Sequence, residues 1–173
     1  WPVRGGQTDK AAPVPRTGQT IQYEAGDDGA LQAGVTWPDP RFTDNGDGTV
    51  TDNLTGLIWL QNANCFGELN WSTALNDANT LADGNCGLSD GSSAGNWRLP
   101  TRRELRSLID LGRANPALPS GHPFTEVQWS NYWSSSTYAA GAASAWVVYL
   151  GNGLVSTDGK WDDDYVWPVR GGQ

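Results

Sequence analysis

Apolar residues recur at helical spacing in two stretches near the middle of the chain. Between residues 70 and 83 they repeat every three or four positions, and Asn70 is placed to cap the first turn. Between residues 101 and 111 the pattern returns, and Thr101 and Glu104 have the spacing of a capping box. The sequence therefore predicts two helices, over 70–83 and 101–111.

Strand-like alternation flanks these helices on both sides. Residues 41–60 place Gly-Asp-Gly turn chemistry inside an alternating pattern, which predicts a hairpin followed by a buried strand, GLIWL. From Trp129 onward the aromatic-rich runs WSNYWSSST, AWVVYL, GLVSTD and YVWPVRGG predict an antiparallel meander. GLIWL and YVWPV are expected to pair, which would bring the ends of the domain together. We predict an α+β domain in which two helices pack on a small twisted antiparallel sheet.

The spacing also predicts which large side chains fill the core. Those on the inner faces of the predicted elements are expected to be mostly buried: Trp59, Trp71, Trp97, Leu105, Ile109, Trp133, Trp146, Val148, Val166 and Trp167. Trp37 and Trp161 are expected to be exposed or to lie at an interface.

Residues 8–40 differ in character from the rest of the chain. Proline and glycine are scattered through them with little periodicity, which predicts an extended arm, with one short strand possible over 19–26. The arm is too apolar for a Gly/Ser tether. We expect its apolar residues to take part in self-assembly: Ile21, Tyr23, Leu31, Val35 and Trp37.

A heptapeptide occurs twice in the chain. WPVRGGQ stands at residues 1–7 and again at 167–173, an offset of 167 − 1 = 166 residues, which is about one domain. We interpret residues 1–7 as the tail of a preceding repeat, residues 8–40 as a connector arm, and residues 41–173 as the domain. This interpretation predicts copies arranged head to tail, and a heterologous contact repeated without closure gives a filament.

Charge and cysteine usage narrow the classes of partner and compartment. The 173 residues include 11 basic and 19 acidic ones, for a net charge of −8, which disfavours binding to a nucleic-acid backbone. No apolar run approaches the roughly 20 residues of a membrane span. The composition suits an extracellular or surface-exposed chain, and Cys65 and Cys86 are expected to form a structural disulfide rather than remain free thiols.

No set of catalytic or metal-binding residues can be assembled from the sequence. DNGDG at 44–48 lacks the acidic positions of a calcium loop, and His122 is the only histidine. We therefore expect no enzyme activity, no cofactor and no metal. A ligand-binding face is expected on the late loops, with a solvated acidic rim as the alternative. Its candidate residues are Tyr138, Asn152, Asp158, Trp161, Asp162, Asp163 and Asp164.

Five segments of the sequence together carry a resemblance to a known family: FTDNGDGTVTDNLTGLIW, NWRLPTRREL, YWSSSTY, AWVVYLGNG and YVWPVRGG. In this order, over residues 36–172, they resemble the Lcl-type C-terminal domain family of bacteria. The resemblance implies a C-type-lectin-like fold and an extracytoplasmic domain used for display, adhesion or assembly. It implies no settled activity. The Glu-Pro-Asn, Gln-Pro-Asp and Trp-Asn-Asp triplets of calcium-dependent sugar-binding lectins are absent, so that activity is not carried over.

Two function classes remain. In the first, the chain is a structural repeat of an extracellular filament or array and its partner is another copy of itself. In the second, it is an adhesin that recognises a glycan or a protein through its late loops.

Overall fold

Nine strands and three helices make up the computed structural model, which describes residues 14–171. Strands and helices are segregated along the chain, so the fold is α+β, as predicted. The helices are α1 (Asp28–Leu31), α2 (Trp71–Thr80) and α3 (Arg102–Ser107). The strands are β1 (Phe42–Asp44), β2 (Thr49–Asp52), β3 (Ile58–Leu60), β4 (Glu68–Asn70), β5 (Asn131–Thr137), β6 (Ser144–Tyr149), β7 (Leu154–Gly159), β8 (Asp163–Tyr165) and β9 (Val169–Arg170).

The first sheet has the strand order β1-β2-β3-β9, and all of its pairs are antiparallel. β1 and β2 form the hairpin predicted within residues 41–60, and β3 is the buried strand that follows it. β3 pairs with β9 by placing Trp59 opposite Val169, which confirms the predicted pairing of GLIWL with YVWPV. The two ends of the domain therefore meet in this sheet.

The second sheet has the order β4-β8-β5-β6-β7, and here the predicted single antiparallel meander is wrong. β5 and β8 run parallel, with Tyr132 opposite Tyr165. YVWPVRGG is also divided between the sheets, because the chain leaves β8 at Tyr165 and enters β9 at Val169. Pro168 lies between the two strands, and a proline has no N–H to continue a hydrogen-bonded ladder.

The two predicted helices exist, but both end early. Asn70 Oδ1 accepts from Thr73 N over 3.1 Å and caps α2, which ends at Thr80 rather than at residue 83. The predicted capping box is present in α3, which ends at Ser107. Its backbone turns away there because Asp110 N donates to Ala117 O, over 2.8 Å, instead of to a helical carbonyl. No helix within residues 14–171 is long and apolar enough to cross a membrane.

The core contains most of the side chains predicted for it. Eight of the ten are buried, and Trp59, Trp133 and Trp167 have no exposed surface. Trp71 and Trp146 are only half-buried. Their outer ring faces are covered by cations, the Lys160 ammonium over Trp71 and the Arg102 guanidinium over Trp146.

The predicted disulfide is confirmed. Cys65 and Cys86 are bonded, with their Cα atoms 5.7 Å apart. The bond joins the loop before β4 and α2 to the loop after α2. A cross-link of this kind is compatible with an oxidising compartment.

The described part of the predicted arm, residues 14–40, is not extended, and the predicted strand over 19–26 is wrong. The arm closes on itself, because Val35 N donates to Val14 O over 2.9 Å and Arg16 N donates to Val35 O over 3.0 Å. A turn replaces the strand because the Asp27 carboxylate accepts backbone N–H groups on both sides of it and caps α1. These donors also lower the pKa of Asp27. The predictions for residues 1–7 and 8–13 lie outside the described residues.

Candidate functional site

The arm is fixed to the domain near its first described residues. Leu111 N donates to Thr17 O over 2.8 Å, and the Thr17 hydroxyl donates to the Asp28 carboxylate at the start of α1. Gly18 follows with φ +92°, and a β-carbon at this position would collide with Asp110 Oδ1. Glycine therefore permits the close approach of the arm to the domain.

The far end of the arm is fixed by a buried arginine. The Arg41 guanidinium lies 4.8 Å from the centre of the Trp37 ring. It also donates to both carboxylate oxygens of Asp52, over 2.8 and 3.0 Å, and to Ser107 O over 2.9 Å. Trp37 is half-buried, and this contact holds its ring against Arg41.

A groove of about 470 Å³ separates the arm from the segment after α3. We call it the arm groove; its walls include Arg16, Ile21, Tyr23, Trp37, Asp110 and Arg113. Two buried donors in it, Arg16 Nε and Trp37 Nε1, have no hydrogen-bond partner within residues 14–171. A ligand or partner that supplies acceptors would satisfy them.

Four apolar side chains of the arm are exposed. The exposed fractions are 61% for Ile21, 78% for Tyr23, 66% for Leu31 and 40% for Val35. The structure thus places four of the five predicted self-assembly residues on the surface and turns the fifth, Trp37, inward.

The predicted ligand face is only partly brought together. Asp158, Trp161 and Asp162 lie at one end of the β6–β7 hairpin, where Ser144 pairs with Gly159. Asn152 lies in the turn at the other end, beyond the pairing of Tyr149 with Leu154, because the two strands are antiparallel. Asn152 therefore does not belong to the same surface.

The remaining residues of the predicted face differ in accessibility. Tyr138 packs edge-on against Trp146, with ring centres 5.3 Å apart, and Asp163 is exposed at the start of β8. Asp164 is buried, with 6% of its surface exposed. Burial is the main cause that raises the pKa of Asp164 to about 7, and the neighbouring carboxylate of Asp158 adds to it.

The exposed carboxylates at this end also influence one another. Partial desolvation and a hydrogen bond with the Asp158 side chain raise the pKa of Asp162. Within residues 14–171 no group of three or more His, Cys, Asp or Glu side chains is arranged to hold a metal ion. The chemistry available at this end is therefore that of a polar surface with an exposed aromatic ring, Trp161.

Sequence reasoning missed the two arginines of the arm groove. Arg16 and Arg113 are 97 residues apart (113 − 16) and come together only because the arm folds back on the segment after α3. No local pattern links such distant positions. The scarcity of basic residues, 11 in the whole chain, is the one signal that could have drawn attention to them.

Comparison with known proteins addresses the family. No match to the chain is found among curated proteins. The sequence profile of the Lcl C-terminal domain matches residues 48–170, which include β2 to β9, α2, α3 and the disulfide. The match excludes residues 14–47, and with them the arm and β1, but it includes the wall of the arm groove from Asp110 to Arg113. It bears out the predicted resemblance: the chain belongs to the Lcl C-terminal domain family.

Proposed function

We propose that the chain is a non-enzymatic structural repeat that assembles head to tail with copies of itself into an extracellular filament or array. The observation that carries this proposal is the exposed apolar side of the arm. Within residues 14–171, nine large hydrophobic side chains are exposed, and five belong to the 22 residues from Val14 to Val35. Apolar side chains held in place by an ordered backbone are typical of a surface that meets a protein partner.

The repeated heptapeptide supports a partner of the same kind. In the copy at residues 167–173, Trp167 packs against Trp59, Phe124 and Tyr132. Val169 exchanges two backbone hydrogen bonds with Arg98, over 3.0 and 2.9 Å. WPVRGGQ is thus the sequence of a domain's last strand, and a second copy at residues 1–7 is explained by a preceding domain of the same kind.

Two further features belong to this proposal. We propose that the fold is C-type-lectin-like. Two features support this: β3 pairs with β9, and the helices α2 and α3 follow each other in the chain between β4 and β5. We also propose an extracellular location on the bacterial surface, supported by the disulfide Cys65–Cys86.

Assembly of the full chain as a function of concentration tests the proposal. Wild-type protein is examined by light scattering and electron microscopy beside a variant that carries Ile21→Ser, Tyr23→Ser and Leu31→Ser. We expect regular filaments from the wild type and none from the variant. Trp129→Ser is the matched control, since Trp129 is 58% exposed outside the arm and should not affect assembly. Filaments from the triple variant would contradict the proposal.

The second candidate is an adhesin that binds a glycan or a protein. It is favoured by Trp161, which is 71% exposed among carboxylates, an arrangement suited to stacking on a sugar or a protein surface. A glycan array and a protein pull-down with the intact chain test it. Binding that Trp161→Ala abolishes would support it, and blank results in both assays would remove it.

A further inference from the structure

We infer that the arm groove of one copy receives the turn at Trp161 of the next copy. The Trp161 turn is defined as residues 159–163, from the last residue of β7 to the first residue of β8. This inference rests on the proposed function, because it names the surface against which the arm docks. It adds a second surface, the Trp161 turn, which the exposed apolar residues of the arm do not identify.

The two surfaces lie at opposite ends of the β6–β7 hairpin. The tip of the β6–β7 hairpin adjoins the groove, since Asn115 N donates to Gly151 O over 2.9 Å and a β-carbon at Gly153 would lie 3.3 Å from Leu111 Cδ2. The Trp161 turn begins where β7 ends. β7 has six residues, so it separates the two surfaces by roughly 17–20 Å.

This separation determines the kind of assembly. Two different surfaces that lie apart on one copy form a heterologous contact, which can repeat from copy to copy without closing. A self-complementary patch would instead stop at a dimer. The placement of the surfaces therefore fits the head-to-tail order that the repeated heptapeptide suggests.

The aromatic side chain suits the groove. Trp161 is 71% exposed, so most of its ring is available to a partner. The groove offers about 470 Å³ beside Ile21 and Tyr23, which are themselves exposed. Tryptophan is among the residues that most often contribute strongly to binding when they enter a pocket of an interface.

The charges of the two surfaces are complementary. Arg16 and Arg113 contribute two guanidinium groups to the groove. Its one carboxylate, Asp110, is buried and accepts from Gly112 N over 2.8 Å. On the facing side, Asp162 and Asp163 are exposed beside Trp161.

The hydrogen-bonding groups match as well. The one cation at the turn, the Lys160 ammonium, is already engaged, because it lies 3.9 Å from the centre of the Trp71 ring and donates to Thr137 Oγ1 over 2.9 Å. The turn therefore presents acceptors. The unpartnered donors Arg16 Nε and Trp37 Nε1 of the groove require acceptors. A guanidinium near Asp162 would also relieve the repulsion from Asp158 that contributes to its raised pKa.

Two variants of the full chain, each lacking one surface, test the inference. Trp161→Ala removes the aromatic contact of the turn, and Arg113→Asp reverses a charge of the groove. We expect each to raise the concentration needed for assembly by about tenfold or more. The matched controls are Trp129→Ala and Arg103→Asp, which alter an exposed tryptophan and an exposed arginine outside both surfaces and should change it less than about twofold.

Mixing experiments identify the contact itself. An equimolar mixture of Trp161→Ala and Arg113→Asp chains retains one intact turn and one intact groove, so it should give 1:1 dimers and nothing longer in sedimentation. The double variant Asp162→Arg, Arg113→Asp restores the opposite charges and should recover assembly that either change alone weakens.

The outcomes separate the inference from the proposed function. If Trp161→Ala and Arg113→Asp assemble like wild type while the triple arm variant does not, the inference is wrong and the proposed function stands. If the triple arm variant assembles too, or wild-type protein stays monomeric at every concentration, both are wrong.

Discussion

At the scale of single residues, Arg41 and Asp52 form the most completely buried charged pair in residues 14–171. Their side chains are 6% and 0% exposed, and two hydrogen bonds join them. A buried charge is stable only when its partner is present, because the removal of one member leaves the other without compensation for lost hydration. Arg41 also contacts Trp37, so the pair links the core to the arm.

Arg41→Met is therefore expected to lower the free energy of unfolding by about 3–5 kcal/mol, since Asp52 then stays buried and unpaired. Denaturant unfolding followed by tryptophan fluorescence measures the loss. Arg103→Met replaces an exposed arginine and should cost less than about 0.5 kcal/mol. Equal costs for the two variants would show that the buried pair contributes nothing.

Asp164 makes stability depend on pH. Burial raises its pKa to about 7, well above the value of an unfolded chain, so the folded protein keeps a proton that the unfolded chain has lost. Its contribution is fully present below about pH 4 and is lost as the pH rises towards 7. We expect Asp164→Asn to stabilise the domain by about 2 kcal/mol at pH 8 and by little at pH 4.

Unfolding curves of wild type and Asp164→Asn across this pH range provide the measurement. Asp163→Asn, which changes the exposed neighbour of Asp164, is the control and should not reproduce the difference. A constant difference between wild type and Asp164→Asn at pH 4 and pH 8 would argue against a protonated Asp164 in the folded state.

At the scale of elements, the sequence predicts best what local chemistry decides. The caps at Asn70 and Thr101 require only neighbours within four residues, and both were predicted correctly. The hairpin and the buried strand β3 follow from alternation and turn chemistry in the same way. The sequence predicts ends for α2 and α3 that lie too far along the chain. Distant carbonyls, such as Ala117 O, accept hydrogen bonds from the backbone N–H groups that follow the helices.

The arm shows why the rest could not be predicted. A turn stands where one short strand is expected over 19–26, because the Asp27 carboxylate accepts N–H groups from Tyr23, Glu24 and Ala30. The arm groove depends on contacts between segments about 95 residues apart, such as Thr17 with Leu111 (111 − 17 = 94). Periodicity carries no information about such contacts.

The attachment of the arm is expected to depend on Gly18. In Gly18→Ala the new methyl would collide with Asp110 Oδ1 and lie 2.8 Å from Trp37 Cη2, so we expect the arm to separate from the domain. Limited trypsin digestion should then cleave after Arg16 about tenfold faster or more, while the domain stays intact. Gly26→Ala is the matched control, because Gly26 has a similar φ of +85° but no atom within 4 Å of the added methyl. Equal cleavage rates in the two variants would mean that backbone strain at positive φ, and not the collision with Asp110, separates the arm from the domain.

At the scale of the whole molecule, the heptapeptide WPVRGGQ stands at both ends of the sequence, and the structure describes the second copy as far as Gly171. In the copy at 167–173, Trp167 and Val169 are fully buried, Trp167 Nε1 donates to Leu60 O over 2.8 Å, and Arg170 pairs with Asp90 over 3.1 Å. This copy completes the first sheet. If the chain is one repeat of a series, the copy at residues 1–7 completes a sheet in the preceding domain and contributes nothing to its own.

Two deletions, each of which removes one copy of WPVRGGQ, test this expectation. Removal of residues 1–7 should leave the free energy of unfolding unchanged within about 0.5 kcal/mol, because this interpretation assigns them to the preceding domain. Removal of residues 167–173 should prevent folding, since the loss of buried Trp167 alone is worth about 3–5 kcal/mol, a large part of a typical domain's stability. Circular dichroism and thermal unfolding measure both. If the chain without residues 167–173 folds as a monomer, WPVRGGQ at residues 1–7 has replaced the lost strand within the same chain, and the two copies belong to one domain rather than to successive ones.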